Sequence, residues 1–260
     1  MIAPRRHGVA PWSVVAVHGG PGACGEIAPL AARLGRRFGV LEPWCVAPTL
    51  DGQIDEIAGA VAVTDRAVLI GHSWGAWTVT LFAARHPDRV AGLVWIGAPP
   101  FDTAAARTIE PIRLARLDAA DRAEVAALTE RLAEDADPAA FARLGRLLAA
   151  TDAFDPRAAT DDGTVEVRPE VYRAVWPEGA ALRASGELRR TLRRLTVPVV
   201  AFHGEHDPHP IAAIADLAGE IPAGLRLRRL ARCGHVPWRE PAVRERFFHD
   251  LEADLASALA

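Results

Sequence analysis

The chain has 260 residues, of which 50% are hydrophobic, and it carries 30 basic and 33 acidic side chains scattered along its length. This length suits one sizeable core with an insertion better than several independent domains. With a net charge of −3 and no basic stripe, the chain is not expected to bind nucleic acid or an anionic membrane. All the basic residues are arginine, which excludes mechanisms that need a catalytic lysine.

The N-terminal region indicates a cytoplasmic location. Residues 1–7 lack the apolar run of a secretory signal, and no apolar run approaches the ~20 residues of a membrane helix. The cysteines, Cys24, Cys45 and Cys233, are odd in number and far apart, which favours reduced thiols over a disulfide framework.

Short apolar runs alternate with stretches of helical spacing, which is typical of a parallel sheet wrapped by helices. Each run is continuous rather than alternating, as expected for strands that are covered on both faces. The six predicted strands span residues 13–17, 38–41, 67–70, 90–96, 197–202 and 225–230.

A glycine-rich loop, HGGPG at 18–22, follows the first predicted strand. Such a loop lets a substrate oxygen approach backbone N–H groups closely, as an oxyanion hole requires. We assign the amide of Gly20 as one oxyanion donor. For His18, a hydrogen bond that braces the loop is the expected role.

A second glycine motif, GHSWG at 71–75, follows the third predicted strand and precedes a helical stretch. A nucleophile on a sharp strand-to-helix turn needs small residues two before and two after it, and glycine occupies both positions. Ser73 is therefore the predicted nucleophile, and the amide of Trp74 is the second predicted oxyanion donor. His72 is expected to pack against the site or tune it.

Residues 102–191 show helical spacing without convincing strands, so they predict a helical insertion. The core would then comprise 1–101 and 192–260. The run TDDG at 160–163 predicts an exposed turn within the insertion. Aromatic residues near the predicted nucleophile or in the insertion are candidates for an apolar substrate pocket. These candidates are Trp77, Phe101, Tyr172 and Trp176.

A polar run, HGEHDPHP at 203–210, ends the fifth predicted strand. A carboxylate here could accept a hydrogen bond from an imidazole, and Asp207 is preferred over Glu205 for this role. The histidines of the run also resemble a metal-ligand cluster, but their spacing fits no metal motif, so no metal is predicted.

His235 follows the sixth predicted strand, on a loop at the carboxyl edge of the sheet. Because parallel strands present their carboxyl ends at one edge, His235 could reach Ser73 there and act as its base. The chain order of serine, acid and histidine is the one expected of this arrangement.

Together these motifs resemble the α/β hydrolases, and within them the proline-iminopeptidase-like group. The resemblance covers residues 13–101 and 195–250, and 102–191 corresponds to the variable helical cap of the family. The motifs that carry it are HGGPG at 18–22, GHSWG at 71–75 with FAARHPDRV at 82–90, Gly204 with Asp207, and GHVPW at 234–238. Relatives usually have two or more strands before the one that is first here, so the sheet is expected to be trimmed at one edge.

The resemblance implies an α/β-hydrolase fold and a serine hydrolase that cleaves an ester or amide bond of a small substrate, without a cofactor. Alternatives are a prolyl-type aminopeptidase, a carbon–carbon bond hydrolase, an acyl transferase, or a non-catalytic binding protein of the same fold. Iminopeptidases hold the free amino group of the substrate with acidic residues, and spacing alone does not match Glu110, Glu166 or Glu170 to that role.

Overall fold

In a computed structural model, which describes residues 2–159 and 165–260, one seven-stranded sheet forms the centre of the protein. Its order is β1-β4-β2-β5-β6-β8-β9, with β1 antiparallel to β4 and the other pairs parallel. A separate antiparallel pair is formed by β3 and β7. The strands are β1 (Arg5–His7), β2 (Trp12–Val17), β3 (Ala23–Cys24), β4 (Gly39–Glu42), β5 (Ala67–His72), β6 (Val90–Ile96), β7 (Glu166–Val167), β8 (Val199–Gly204) and β9 (Leu225–Leu230).

Helices cover both faces of the sheet. They are α1 (Ala28–Leu34), α2 (Leu50–Val61), α3 (Trp74–Arg85), α4 (Thr103–Ala106), α5 (Ile109–Ala115), α6 (Ala119–Glu134), α7 (Pro138–Asp152), α8 (Pro169–Ala184), α9 (Glu187–Thr191), α10 (Ile211–Ala215) and α11 (Arg244–Leu259).

The central strands are apolar throughout because successive side chains enter different hydrophobic layers. Val15 and Leu69 pack in the layer that includes residues of α2 and α3. Val14 and Val68 pack in the opposite layer, with residues of α1 and α11. Strand β5 is buried over its whole length, so the turn that follows it begins in the middle of the protein.

The predicted α/β class is confirmed, and each of the six predicted strands is present within one or two residues. The sheet has a seventh strand, β1, which the sequence analysis did not predict. Its residues, Arg5–His7, are polar and lie at the sheet edge, so they carry no apolar signal.

Among the described residues between β6 and β8, the regular elements are helices apart from the two residues of β7. Strand β7 exists through its pairing with β3, and two residues are too few to give a strand pattern in sequence. The boundaries 102–191 stay a prediction, and the turn predicted at 160–163 lies outside the described residues. Within the described ranges, no helix is both long and apolar enough to cross a membrane.

Candidate active site

The predicted nucleophile lies on a tight turn between β5 and α3. Ser73 has φ 48° and ψ −119°, and α3 begins at the next residue, Trp74. A positive φ is uncommon outside glycine and costs on the order of 1–3 kcal/mol, so the surrounding structure must hold it. The Ser73 amide donates a hydrogen bond of 2.9 Å to the carbonyl oxygen of Ile96, which ties the turn to the neighbouring strand β6.

Glycine is required on either side of Ser73 because the backbones approach closely there. A Cβ atom at Gly71 would lie 2.3 Å from the carbonyl oxygen of Gly75. A Cβ atom at Gly75 would lie 2.5 Å from the carbonyl oxygen of Val17, at the end of β2. The turn therefore packs directly against the start of the glycine-rich loop.

The glycine-rich loop lies beside the serine turn. Gly19, Gly20 and Ser73 line one cavity, and Gly20 has φ 48°, a left-handed conformation that glycine adopts without strain. The amide of Trp74 is at the first position of α3, where a helix leaves N–H groups without an intrahelical partner. Both predicted oxyanion donors thus belong to the two turns that meet at this cavity.

Glu26 connects these two turns. Its Oε2 accepts a hydrogen bond of 3.1 Å from the Gly19 amide and one of 3.0 Å from Nδ1 of His72. Nε2 of His72 lies 3.2 Å from the carbonyl oxygen of His235. Burial alone would raise the pKa of Glu26, but the charges of His72 and Arg239 and the two hydrogen bonds lower it to about 2.

His18 holds the glycine-rich loop through hydrogen bonds of its ring, as predicted. Its Nδ1 lies 2.8 Å from the carbonyl oxygen of Gly19, and its Nε2 lies 2.9 Å from that of Trp44. The ring is fully buried. Although burial lowers the pKa of His18, the hydrogen bond and charge of Cys24 and the two carbonyl oxygens raise it to about 9.

The predicted base and acid are in direct contact. Nδ1 of His235 donates a hydrogen bond of 2.7 Å to Oδ2 of Asp207, whose side chain is fully buried. Glu205, the alternative acid, is exposed. Burial would lower the pKa of His235, but the Asp207 charge and hydrogen bond raise it. Burial would raise the pKa of Asp207, and the two histidines that contact it hold that pKa well below the usual range.

A second imidazole contacts the same carboxylate. Nδ1 of His209 donates a hydrogen bond of 2.7 Å to Oδ1 of Asp207, and the His209 amide donates one of 2.9 Å to the same oxygen. The rings of His209 and His235 stack with centroids 4.5 Å apart. Burial, the largest influence, lowers the pKa of His209 to about 4, so its ring is neutral near pH 7.

Asp207, His209 and His235 also form a cluster whose potential metal-ligand atoms lie within 4.8 Å of one another. Each Asp207 oxygen already accepts a hydrogen bond from an imidazole Nδ1, so those ring nitrogens carry protons instead of lone pairs. This arrangement fits a carboxylate that orients two imidazoles better than a metal site.

The cavity beside Ser73 has a volume of about 200 Å³, and His235 lies in its wall. Helix α7 supplies another part of the lining through Gly145, Leu148, Ala149 and Asp152. Helix α7 and the serine turn therefore lie on the same cavity, and the assignment of 102–191 as a cap stays a prediction.

Residues 64–238 match the family described as the alpha/beta hydrolase fold. This chain belongs to the α/β-hydrolase fold family. It is 32% identical over 205 residues to the pimeloyl-[acyl-carrier protein] methyl ester esterase of Aromatoleum aromaticum (strain DSM 19018 / LMG 30748 / EbN1), a match that covers 74% of each chain.

Solved structures of similar architecture include a monoacylglycerol lipase from Paleococcus ferrophilus, with a TM-score of 0.68, 18% identity, and coverage of 99% of this chain and 100% of that one. A thermophilic esterase from Thermogutta terrifontis has a TM-score of 0.65 and 21% identity, and the match covers 98% and 93% of the two chains. At such identities the likeness concerns the fold. Membership of the proline-iminopeptidase-like group stays a prediction.

The aromatic residues predicted to line a substrate pocket occupy different places in this α/β hydrolase. Trp77 and Phe101 are fully buried, and Trp77 stacks on Trp176 at 6.3 Å. None of these three lines the cavity beside Ser73. Contacts of Trp176 with Trp74 and Trp77 attach α8 to α3, and Phe101 contacts Trp77 and Trp95. Tyr172 lines a second cavity between the helices of the insertion.

Glu26 and Glu240 were not predicted as parts of the site, and His209 was considered only as a possible metal ligand. For His209 a signal existed, since it lies two residues after Asp207 in a polar run at a strand end. Glu26 and Glu240 are isolated acidic residues in sequence, and their importance comes from backbone amides that approach them only in the folded hydrolase.

Proposed function

We propose that the protein is a serine hydrolase that cleaves an ester bond of a small substrate through an acyl-enzyme on Ser73. One observation carries this proposal. Ser73, on a turn with positive φ, shares a cavity wall with His235, whose Nδ1 donates to the buried Asp207 carboxylate. In this arrangement Nε2 of His235 is the nitrogen left to take a proton.

In the proposed reaction, the Ser73 hydroxyl attacks the ester carbonyl carbon while His235 takes its proton. The amides of Gly20 and Trp74 donate to the developing oxyanion. His235 then gives its proton to the departing alkoxide, which leaves as an alcohol. Water attacks the acyl-enzyme with His235 again as base, and the carboxylic acid and free Ser73 are formed. Asp207 orients the imidazole and stabilises its charged form.

The existing partners of the acidic residues in the cavity support an ester over a peptide whose free amino group would need such residues. Three carboxylates line the cavity, and each already has donors within the protein. Glu26 accepts from His72 and Gly19, and Asp152 accepts from Arg113 at 2.7 Å. Glu240, the third, accepts hydrogen bonds from three backbone amides, those of Phe154, Asp155 and Gly234. The esterase activity in the name of the 32% identical relative also supports an ester.

The test combines a panel of p-nitrophenyl esters with proline p-nitroanilide and labelling by a fluorophosphonate probe. The wild-type protein should hydrolyse the esters and be labelled, and Ser73→Ala should lose both activities while keeping its melting temperature. Ser257→Ala, which changes an exposed serine on α11, is the matched control and should behave like the wild type.

Other results would point to other functions. Preference for the prolyl anilide would indicate an aminopeptidase, and ester products formed with a competing alcohol would indicate an acyl transferase. Ligand binding without labelling of Ser73 would indicate a non-catalytic protein. Undiminished ester hydrolysis by Ser73→Ala would overturn the assignment.

A further inference from the structure

A second cavity, with a volume of about 410 Å³, lies between α6, α7 and α8. We call it the cap groove. Its lining is mainly apolar and includes Leu132 of α6, Phe141, Leu144 and Leu148 of α7, and Tyr172 of α8. These side chains are half-buried, so the groove is open to solvent. An apolar surface that a folded protein leaves open in this way commonly marks a binding site.

The cap groove adjoins the cavity beside Ser73. Gly145 and Leu148, one turn apart on α7, line both of them. A molecule whose reactive group lies at Ser73 can therefore extend along α7 into the groove.

The inner wall of the groove is firmly held. Tyr172 contacts the ring of Phe141 at 5.3 Å and stacks on Trp176 at 5.8 Å. Trp176 in turn stacks on Trp77 of α3, the helix that begins directly after Ser73. These ring contacts fix the groove relative to the serine turn, so few side chains of the groove need to be ordered when a ligand binds.

We propose that the cap groove binds an apolar chain of the ester substrate, so that the enzyme acts on esters with an extended alkyl or aryl-alkyl chain. This inference rests on the proposed function, because the chain is placed by the ester group at Ser73. The occupant follows from the shared lining of the two adjoining cavities and from the apolar lining of the groove, which offers an alkyl chain burial but few hydrogen bonds.

Gly145 lies where the groove and the cavity beside Ser73 adjoin, because it lines both of them. A Cβ atom there would meet nothing within 4 Å, so a larger side chain can be accommodated without disturbing the protein. Gly145 also lies inside a helix, where replacing glycine by leucine favours folding. A leucine at this position would project into the space that the two cavities share.

The experiment measures kcat/KM for two series of esters. One series lengthens the acyl chain of p-nitrophenyl esters from acetate to decanoate, and the other lengthens the alcohol of acetate esters. In the wild type, kcat/KM should rise by up to about fourfold for each buried CH₂ in the series whose chain enters the groove. Gly145→Leu should lower the ratio of long-chain to short-chain kcat/KM by at least about tenfold, equivalent to burial of two CH₂ groups.

Two further variants complete the test. Leu132 lines the groove but not the cavity beside Ser73, and Leu132→Gln should lower the same ratio because it places a polar group along the chain. Gly219→Leu is the matched control, since Gly219 also has open space around it and lies outside both cavities. It should leave the ratio unchanged.

A reduced ratio in either series supports the groove and identifies whether the acyl or the alcohol chain enters it. If neither Gly145→Leu nor Leu132→Gln changes the ratio in either series, the inference is wrong. It is also wrong if the groove instead holds a second copy of the chain. In that case gel filtration would show a dimer, and Leu132→Gln would separate the dimer without changing the ratio. Absence of Ser73-dependent ester hydrolysis in the wild type would be a failure of the proposed function itself.

Discussion

The main-chain amide of His235 donates a hydrogen bond of 2.9 Å to the main-chain carbonyl oxygen of Asp152. The last residue of α7 thus holds the loop that carries the proposed base. The same helix lines the cavity beside Ser73 and the cap groove. In this hydrolase α7 therefore lines the candidate site and also contributes to the position of His235.

Glu240 strengthens the junction between the end of α7 and the loop that carries His235. Its replacement should weaken both stability and activity. The buried carboxylate accepts hydrogen bonds of 2.6 Å from the Phe154 amide and 3.1 Å from the Gly234 amide, on the two sides of the junction. Glu240→Gln keeps the shape but removes the charge and turns one acceptor into a donor. We expect the free energy of unfolding to fall by about 2 kcal/mol, measured by urea denaturation.

Loss of kcat should accompany this change, since the His235 loop is less firmly held. Glu130→Gln, which alters an exposed carboxylate on α6, is the control and should match the wild type in both measurements. Equal stability of Glu240→Gln and the wild type would contradict the role given to the junction.

Asp207→Asn tests the pairing of acid and base. The raised pKa of His235 implies that activity falls as the pH drops below a midpoint above 6.5, because the protonated ring cannot take the serine proton. Without the negative charge that pKa falls, so the acid limb of kcat/KM should move to lower pH. We also expect kcat to fall by about 10³–10⁴-fold, because asparagine does not stabilise the imidazolium.

The matched control for this pH profile is Asp216→Asn, an exposed aspartate that follows α10. Its acid limb should coincide with that of the wild type. An acid limb that stays in place in Asp207→Asn would show that the titrating group is not the His235 ring.

The sequence predicts the sheet and the serine turn well because their signals are local. The continuous apolar runs of β2 and β5 follow from burial on both faces. Gly71 and Gly75 are predicted because a strand-to-helix turn has little space. In the structure, a Cβ atom at Gly71 would lie 2.3 Å from the carbonyl oxygen of Gly75, and one at Gly75 would lie 2.5 Å from that of Val17. The Gly71 requirement involves a residue close in the chain, and although the Gly75 requirement reaches Val17 of β2, both glycines flank Ser73 and so appear as one motif.

The remaining features depend on residues that are distant in the chain. Phe101 and Tyr172 are both aromatic residues near the predicted site, yet one is fully buried in the core and the other borders a groove. Periodicity indicates that each side chain prefers an apolar environment, but not which one it enters. The contacts of Glu26 with Gly19 and His72 likewise depend on how two turns meet.

Glu26→Gln should reduce the dependence of stability on acid pH. The pKa of Glu26 is lowered from 4.5 to about 2, so its charged form stabilises the fold above about pH 4.5, and this contribution is lost as the pH falls toward 2. Over that interval the contribution is on the order of 3 kcal/mol. Urea denaturation at several pH values should show a shallower loss of stability in the variant.

The control for Glu26→Gln is again Glu130→Gln, whose stability should decrease between pH 4.5 and 2 as steeply as that of the wild type. If Glu26→Gln shows the same slope as well, its carboxylate does not hold the two turns together in the way that the hydrogen bonds indicate.

His209→Phe should shift the pH profile in the direction opposite to Asp207→Asn. The neutral His209 ring donates to Asp207 and so draws part of the carboxylate charge away from His235. Phenylalanine can keep the stacking with His235 but cannot donate, so the carboxylate should interact more strongly with the remaining imidazole. We expect the acid limb of kcat/KM to rise by less than about one pH unit, since the Asp207 contact to the His209 amide remains. A general loss of order would lower kcat without raising this midpoint, so an unchanged or lower midpoint would refute the role of His209 as a second donor.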